Sequence, residues 1–413
     1  MPALRCLGLM AAIGCAGCSG STRGTGHNDM SGGGDGPSFN GCATGNFQAM
    51  QQPAALLVVL DSSGTMANNN KYQNAQQAIV SAIDLNAFDS MTLGFLGYPT
   101  SQVASPSCLS LGGLGPPTVG CGVSGLPQVP LAPAGTMKSS ASSGVRHDIY
   151  QWLANHSPTP GNGDGNPTYD AIQSGIQALQ SWPTSGRRIL FYITDGGASC
   201  ASVSSRQGYT DGNGCNDWEY PDSIVTLIKG AHDAATSSVN TIIVGVPGAD
   251  GQNGPTGGDP NLPPYHVRLA LSSYAYAGSP ETVPATCDGK TFSQSGGDPT
   301  VACHFDMTTT YTPQVLSNAI DQIRGALLGC VFELPNPDGG TVDPGQVNVQ
   351  YTVGGNTNTL YKRKDMSNSC VNDGCWDYTS DGKVQLIGKA CSDVEGASDA
   401  NVQIVVGCAT VIM

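Results

Sequence analysis

Ala54-Ala55-Leu56-Leu57-Val58-Val59-Leu60 is an unbroken apolar run that ends directly on Asp61. A strand with one face in water alternates polar and apolar residues. A run with no alternation needs apolar partners on both faces, as in a parallel sheet covered by helices on each side. Similar runs recur at Met91–Tyr98, Ile189–Ile193 and Thr241–Val246. Between them lie segments of helical period. Tyr72–Ile83 puts Ala75, Ala78, Ile79, Ala82 and Ile83 on one face, and Tyr169–Leu179 does the same with Ile172, Ile176 and Leu179. Ser223–Ala235 is a third. Pro313–Leu328 is a fourth, with Thr312 as N-cap, Pro313 at the first helical position and Leu316, Ile320, Ile323 and Leu327 on one stripe. Strands alternating with helices predict an α/β fold with a doubly wound parallel sheet and right-handed crossovers. Ligands on such sheets sit at the carboxyl ends of the strands.

The chain has 413 residues and a formal charge of −14, from 17 Lys+Arg against 31 Asp+Glu. The acidic balance and the few Lys and Arg argue against a nucleic-acid binder and a polybasic membrane-surface protein, both of which need concentrated Lys and Arg. The 56 glycines and 27 prolines predict long loops.

Fifteen cysteines point to an oxidising compartment. Arg5 followed by the apolar run Cys6–Ala16 is too short to span a bilayer and suits the core of a signal peptide. The stretch Ile13-Gly14-Cys15-Ala16-Gly17-Cys18 resembles a bacterial lipobox, whose cysteine is lipidated and becomes the first mature residue. Cys15 and Cys18 compete for that role. Cleavage before Cys18 leaves twelve further cysteines, an even set, and cleavage before Cys15 leaves an odd one, so parity favours Cys18. An ordinary secretory signal is the alternative. The expected organisation is a signal peptide over 1–17 and a lipid anchor with a flexible Gly/Ser linker over 18–41. A sheet domain then covers 42–330 and a β module 331–413.

Directly after the first apolar run come Asp61-Ser62-Ser63-Gly64-Thr65-Met66. After Ile189–Ile193 come Thr194-Asp195-Gly196-Gly197, and Asn166-Pro167-Thr168-Tyr169-Asp170 opens a predicted helix. Through these residues the chain resembles the von Willebrand factor A domain over roughly Cys42–Cys330. The resemblance implies a Rossmann-like fold with a metal-ion-dependent adhesion site. It assigns Asp61, Ser63, Thr65, Thr168 and Asp195 as metal ligands. A bond between Cys42 and Cys330, clamping the ends of the domain, is also what the resemblance implies.

The chemistry of that set is legible in the side chains. Five oxygen donors from three loops suit a hard divalent cation, Mg²⁺ or Mn²⁺, with Ca²⁺ as an alternative. Only two of the five carry charge, so a bound cation stays electrophilic enough to take a carboxylate from a partner. The set offers no evident general base and no paired acid, so no enzyme activity is expected. Taken alone, Asp-x-Ser-x-Thr is also a common turn or helix cap, and Thr168 could serve only as an N-cap. Gly161–Asn166 reads as a solvated turn, and Lys362-Arg363-Lys364 as a solvated face. The six histidines show no metal-ligand spacing, and no His-Glu-x-x-His or Gly-x-Ser-x-Gly occurs.

The remaining cysteines suggest staples on long insertions: Cys108 with Cys121 in Thr100–Gly144, Cys200 with Cys215 after Asp195, and Cys287 with Cys303 in Gly248–Phe305. The loop from Cys200 to Cys215 carries Arg206, Tyr209, Asp211 and Asn213, the candidate contacts to a ligand. From Val331 the helical period stops. Val347–Val353, Lys383–Ile387 and Asn401–Val406 read as strands of a small module held by some of Cys370, Cys375, Cys391 and Cys408, with Cys370 and Cys375 as a disulfide rather than a thiolate metal site.

The expected function is that of a lipid-anchored cell-envelope binding protein, an adhesin or assembly factor. It would use a divalent cation to grip an acidic residue of a protein or extracellular-matrix ligand. Its expected place is the outer membrane, on the cell surface or the periplasmic face, with the lipid as its only membrane contact and no nucleic-acid partner. The alternative is a structural envelope scaffold whose metal site is vestigial or purely structural.

Overall fold

The computed structural model describes residues 45–48, 54–104, 118–159, 165–184, 186–199, 220–253, 264–328, 330–335, 342–365, 370, 374–379, 382–397 and 400–412. The proposed signal peptide, Cys18 and the linker lie outside them.

The first apolar run is strand β1, Ala54–Asp61. It is joined by β2 (Thr92–Tyr98), β3 (Val129–Pro133), β4 (Arg187–Thr194), β5 (Val239–Gly245) and β6 (Phe305–Asp306) in one six-stranded sheet of order β6-β5-β4-β1-β2-β3. All neighbours are parallel except β3, which runs antiparallel along β2 at the edge. β1 therefore lies inside the sheet, flanked by β2 and β4. The absence of alternation is explained by two cores. Leu56, Val58 and Leu60 pack on one face, with residues of α1 (Lys71–Ile83), α2 (Val145–Asn155) and α6 (Pro313–Leu328). Leu57 and Val59 pack on the other, with α3 (Thr168–Ser181), α4 (Pro221–His232) and α5 (Val267–Gly278). The fold is the expected doubly wound α/β sheet.

Helix faces follow the predicted periods. α1 buries Ala75, Ala78, Ile79, Ala82 and Ile83, and α3 buries Ile172, Ile176 and Leu179. α6 starts at Pro313 with Thr312 as its cap, the Val315 N–H donating to Thr312 Oγ1 at 3.3 Å. Leu316 and Ile320 are buried; the Ile323 and Leu327 side chains lie outside the described set.

Two stretches expected to be bare insertions contribute to the domain. Thr100–Gly144 supplies the edge strand β3, and Gly248–Phe305 supplies α5, whose Leu269, Leu271 and Tyr274 are buried. α5 buries residues on nearly every side, Ser272 and Ser273 included, so it has little amphipathic period to reveal it. The Cys287–Cys303 disulfide lies in this stretch as anticipated.

His304 is held beneath α5. Its Nδ1 lies 2.9 Å from Ser272 Oγ, which also accepts the Cys303 N–H at 3.2 Å. Its Nε2 is buried and has no hydrogen-bond partner among the described residues. Burial pushes the imidazole pKa down to about 4, with the Arg268 cation opposing the Asp306 anion that it binds at 2.6 Å. The folded state thus favours neutral His304. Stability present above about pH 6.5 should fall by roughly 3 kcal/mol as pH drops toward 4, because the unfolded chain protonates first. Denaturant titrations at pH 7 and pH 4.5 on wild type and His304→Gln should show a shallower pH dependence in the variant. Equal slopes would remove His304 from the account.

The C-terminal module has its own core of Phe332, Val347, Val349, Tyr351, Leu360, Trp376, Leu386, Val402 and Ile404. Its strands are β7 (Val347–Val353), β8 (Asn356–Leu360), β9 (Cys375–Tyr378), β10 (Val384–Ile387) and β11 (Asn401–Val406). One antiparallel sheet has the order Gly45–Gln48, β11, β7, β8, and the other Val331–Phe332, β10, β9. β7 and β8 form a hairpin over Gly354-Gly355, both at positive φ (58° and 78°), the backbone that a tight two-residue hairpin turn requires. The module is not purely β: it carries one short helix, α7 (Lys389–Gly396). Gly45–Gln48, expected to open the first domain, pairs instead with β11, so the module takes a strand from upstream of the large sheet.

The bond expected between Cys42 and Cys330 is not formed, because Cys330 is bonded to Cys391. The partner packs beside it: α6 runs against α7, which carries Cys391. Cys370 and Cys375 form a disulfide, and Cys121 and Cys408 are disulfide-bonded too, whereas Cys108 lies outside the described residues. Cys200 and Cys215 lie outside them as well. Lys362 and Arg363 are not a free solvated face. Both are drawn to Asp377, at 3.1 and 3.0 Å.

Candidate metal centre

β1 and β4 end side by side, and the loops that leave them meet above the sheet. Asp61 closes β1 and is fully buried. The chain turns at once: the Ser62 N–H donates to Tyr98 O at 2.6 Å and the Ser63 N–H to Asp61 Oδ1 at 2.8 Å. That Asx-type turn brings Ser63 and Thr65 back over the strand end. Ser63 Oγ lies 3.1 Å from Thr65 Oγ1, which donates to Asp195 Oδ1 at 2.9 Å. Asp195 follows β4 and is buried too. Asp61, Ser63, Thr65 and Asp195 thus form one connected group of oxygen donors.

Thr168 reaches the group through an intermediary. Its hydroxyl donates to Asn166 Oδ1 at 2.9 Å and accepts from Tyr192 OH at 3.1 Å. Asn166 Nδ2 in turn donates to Asp61 Oδ2 at 2.9 Å. Asn166, read from the sequence as part of a solvated turn, is buried and bridges two of the predicted ligands. Thr194 Oγ1 donates to the same Asp61 oxygen at 2.7 Å. Behind Thr168, Tyr98 OH donates to Tyr192 OH, so a hydrogen-bonded file of side chains runs from the sheet to Asp61. Burial, with the Asp61 charge second, holds both phenols above their ordinary range, so they pass the file on as neutral hydroxyls, Tyr192 accepting from Tyr98 and donating to Thr168.

Lys71 is a member of the site that motif reading passed over. It is the first residue of α1, after Asn69 and Asn70, which both take left-handed backbone (φ 54° and 58°). Its ammonium pairs with Asp195 Oδ2, with side-chain exposures of 8% and 3%. Tyr311 OH donates to Lys71 O at 3.0 Å. On the other side stands Gly248, at φ 116°, where a Cβ would come within 2.8 Å of Asp195 O and 3.4 Å of Lys71 Nζ. Only glycine fits that backbone at that distance. One signal in the sequence pointed to Lys71: a cation at a helix N-terminus opposes the helix dipole and calls for a nearby anion.

The charges are unevenly matched. Asp195 has Lys71, whereas the oxygens of Asp61 are contacted by the neutral donors Ser63 N, Asn166 Nδ2 and Thr194 Oγ1. Burial, with the Asp195 charge second, pushes the Asp61 carboxyl up to about 7. The donor types alone did not suggest this perturbed acid. Both of its oxygens are already engaged and shielded from solvent.

The donor set fits a hard divalent cation: two carboxylates and two hydroxyls converge, and among the described residues one carboxylate has no counter-charge. Among the described residues no group of three or more His, Cys, Asp or Glu is placed to hold a metal ion, so the set relies on hydroxyls beside its two carboxylates. Arg206, Tyr209, Asp211 and Asn213 lie outside the described residues.

No family model and no curated protein matches the sequence. Among solved structures the chain is similar to the pilus adhesin SpaC from Lactobacillus rhamnosus GG, at 14% identity and a TM-score of 0.41, over 87% of this chain and 41% of that one. It is similar to the minor pilin PilB from Streptococcus sanguinis, at 12% identity and a TM-score of 0.37, over 68% and 62%. It is similar also to the ArnB paralog VWA2 from Sulfolobus acidocaldarius, at 9% identity and a TM-score of 0.31, over 89% and 60%. The chain spans less than two thirds of each.

Proposed function

We propose that this chain is a cell-envelope binding protein, an adhesin or assembly factor. Its site holds Mg²⁺ or Mn²⁺, with Ca²⁺ as an alternative, and through it binds an acidic residue of a protein or matrix ligand. The observation that carries this is the convergence of Asp61, Ser63, Thr65 and Asp195 at the carboxyl ends of β1 and β4, where Asp61 has no cationic partner among the described residues. These four would hold the cation, and Thr168 would stand behind them through Asn166. When bound, the cation supplies a Lewis-acidic position for an incoming carboxylate. The chain's own residues orient the donors: Asn166 and Thr194 fix the Asp61 carboxylate, and Thr65 fixes that of Asp195. Lipidation at Cys18 and residence at the outer membrane, facing the surface or the periplasm, belong to the same reading. No described helix is long and apolar enough to cross a membrane.

A second reading has one observation in its favour. The Lys71–Asp195 pair neutralises one carboxylate from within, as a scaffold with a vestigial metal site would. Partner capture from envelope and matrix extracts separates the two readings. Under the first, the folded chain retains a partner in Mg²⁺ or Mn²⁺ and releases it in chelator. Retention unchanged by chelation would support the scaffold.

A further inference from the structure

Lys71 carries an inference beyond the ligand set, one that rests on the proposed cation site. We infer that Lys71 is a tethered cation that shares Asp195 with the divalent ion, so that loading the site requires its ammonium to leave.

Three features of the structure converge on this. The ammonium sits on Asp195 Oδ2 while Thr65 Oγ1 holds Oδ1, so both oxygens of Asp195 are engaged by the chain's own side chains. A divalent ion placed among Asp61, Ser63, Thr65 and Asp195 would stand close to that ammonium in a buried site, where like charges repel strongly. The backbone also makes the contact specific. Asn69 and Asn70 in left-handed conformation aim the start of α1 at the strand ends, and Gly248 leaves the room that the Lys71 and Asp195 side chains occupy. Lys71 neutralises only one of the two carboxylates. Asp61, met among the described residues only by neutral donors, remains to attract a divalent ion, more weakly than the pair would with Lys71 gone.

Exchange of one cation for another also gives the site two arrangements. With Lys71 on Asp195, the first turn of α1 is pinned to the loop after β4. With the ammonium displaced, that link is broken, and Tyr311, bonded to the Lys71 carbonyl, senses the change at the loop before α6. Occupancy is thus coupled to the seating of α1 by a side chain that need not touch the ligand.

Two measurements test this. Calorimetric titration with Mn²⁺ should show at least tenfold tighter binding for Lys71→Met than for wild type, and near wild-type binding for Lys71→Arg, which keeps the charge. In the wild-type chain, labelling by an amine-acylating reagent, read by mass spectrometry, should rise severalfold at Lys71 when Mn²⁺ is added and stay level at the other lysines. The labelling needs no variant to fold. Mn²⁺ bound equally by wild type and Lys71→Met, or Lys71 labelling unmoved by Mn²⁺ that does bind, would overturn the exchange and leave the cation site standing. Absence of Mn²⁺ binding in both wild type and Lys71→Met would overturn the cation site and the exchange with it.

Discussion

Asp61→Ala should abolish the stabilisation that Mg²⁺ or Mn²⁺ gives the wild-type chain. A ligand that binds only the folded state stabilises it by mass action, about 2.7 kcal/mol at a hundredfold excess over Kd. In a domain of this size that corresponds to a rise in Tm of about 4 °C. Asp61 contributes one of two carboxylates in the set and the one with no cationic partner among the described residues, so its loss removes the strongest attraction for the ion. Ser63 would also lose the acceptor of its N–H, and Asn166 and Thr194 one of theirs, which loosens the remaining donors. Melting curves of both proteins with cation and with chelator check this. A Tm gain of the same size in Asp61→Ala would place the cation elsewhere.

Trp376→Ala should be the most damaging single change in the C-terminal module, costing about 3–5 kcal/mol. The indole is fully buried in the module's core and stands edge-on to Tyr378, with ring centroids 5.2 Å apart. Its backbone ties β9 to the neighbouring segment: the Trp376 N–H donates to Tyr361 O at 3.1 Å, and Trp376 O accepts the Arg363 N–H at 2.8 Å. Those bonds survive substitution, so the loss reports the side chain. The indole Nε1 has no hydrogen-bond partner among the described residues. Trp376→Phe should therefore cost far less, about 1 kcal/mol, because it removes an unpaired polar group along with some volume. Urea unfolding of both variants decides it. A loss below about 1 kcal/mol in Trp376→Ala would show that the module's core does not depend on this residue.

Much of the sheet could be read from residues alone because its signals are local. β1, β2, β4 and β5 announce themselves as apolar runs, and α1, α3 and α6 as one-sided periods with recognisable ends such as Thr312-Pro313. α2 has a legible stripe, Val145, Ile149 and Leu153, but it starts directly after the long Gly/Pro-rich stretch Thr100–Gly144, and its three apolar positions stand among polar ones. α5 had no stripe to find, since nearly all of it is buried. The hairpin of β7 and β8 was half seen: Gly354-Gly355 is a strong turn signal, yet Asn356–Leu360 is exposed along most of its length and lacks an apolar pattern.

The site divides the same way. Asp61 ends a strand and Ser63, Thr65 and Asp195 follow strand ends closely, where position in the chain dictates position in the fold. Asn166 and Lys71 are placed by long-range contacts, 105 residues to Asp61 and 124 to Asp195. No spacing rule reveals such contacts. Cys330 shows the limit of pairing by analogy. The resemblance, with Cys42 ahead of the first apolar run and Cys330 after the last helical period, implied a clamp, whereas the packing of α7 beside α6 sets Cys391 against it.

The most direct test of the central claim is Mn²⁺ uptake by the disulfide-bonded wild-type chain and by Asp61→Ala, followed by loss of the free-ion paramagnetic resonance signal. The account predicts one ion bound per wild-type chain, displaced by excess Mg²⁺, and none bound by Asp61→Ala. A wild-type chain that leaves the free Mn²⁺ signal unchanged would contradict it.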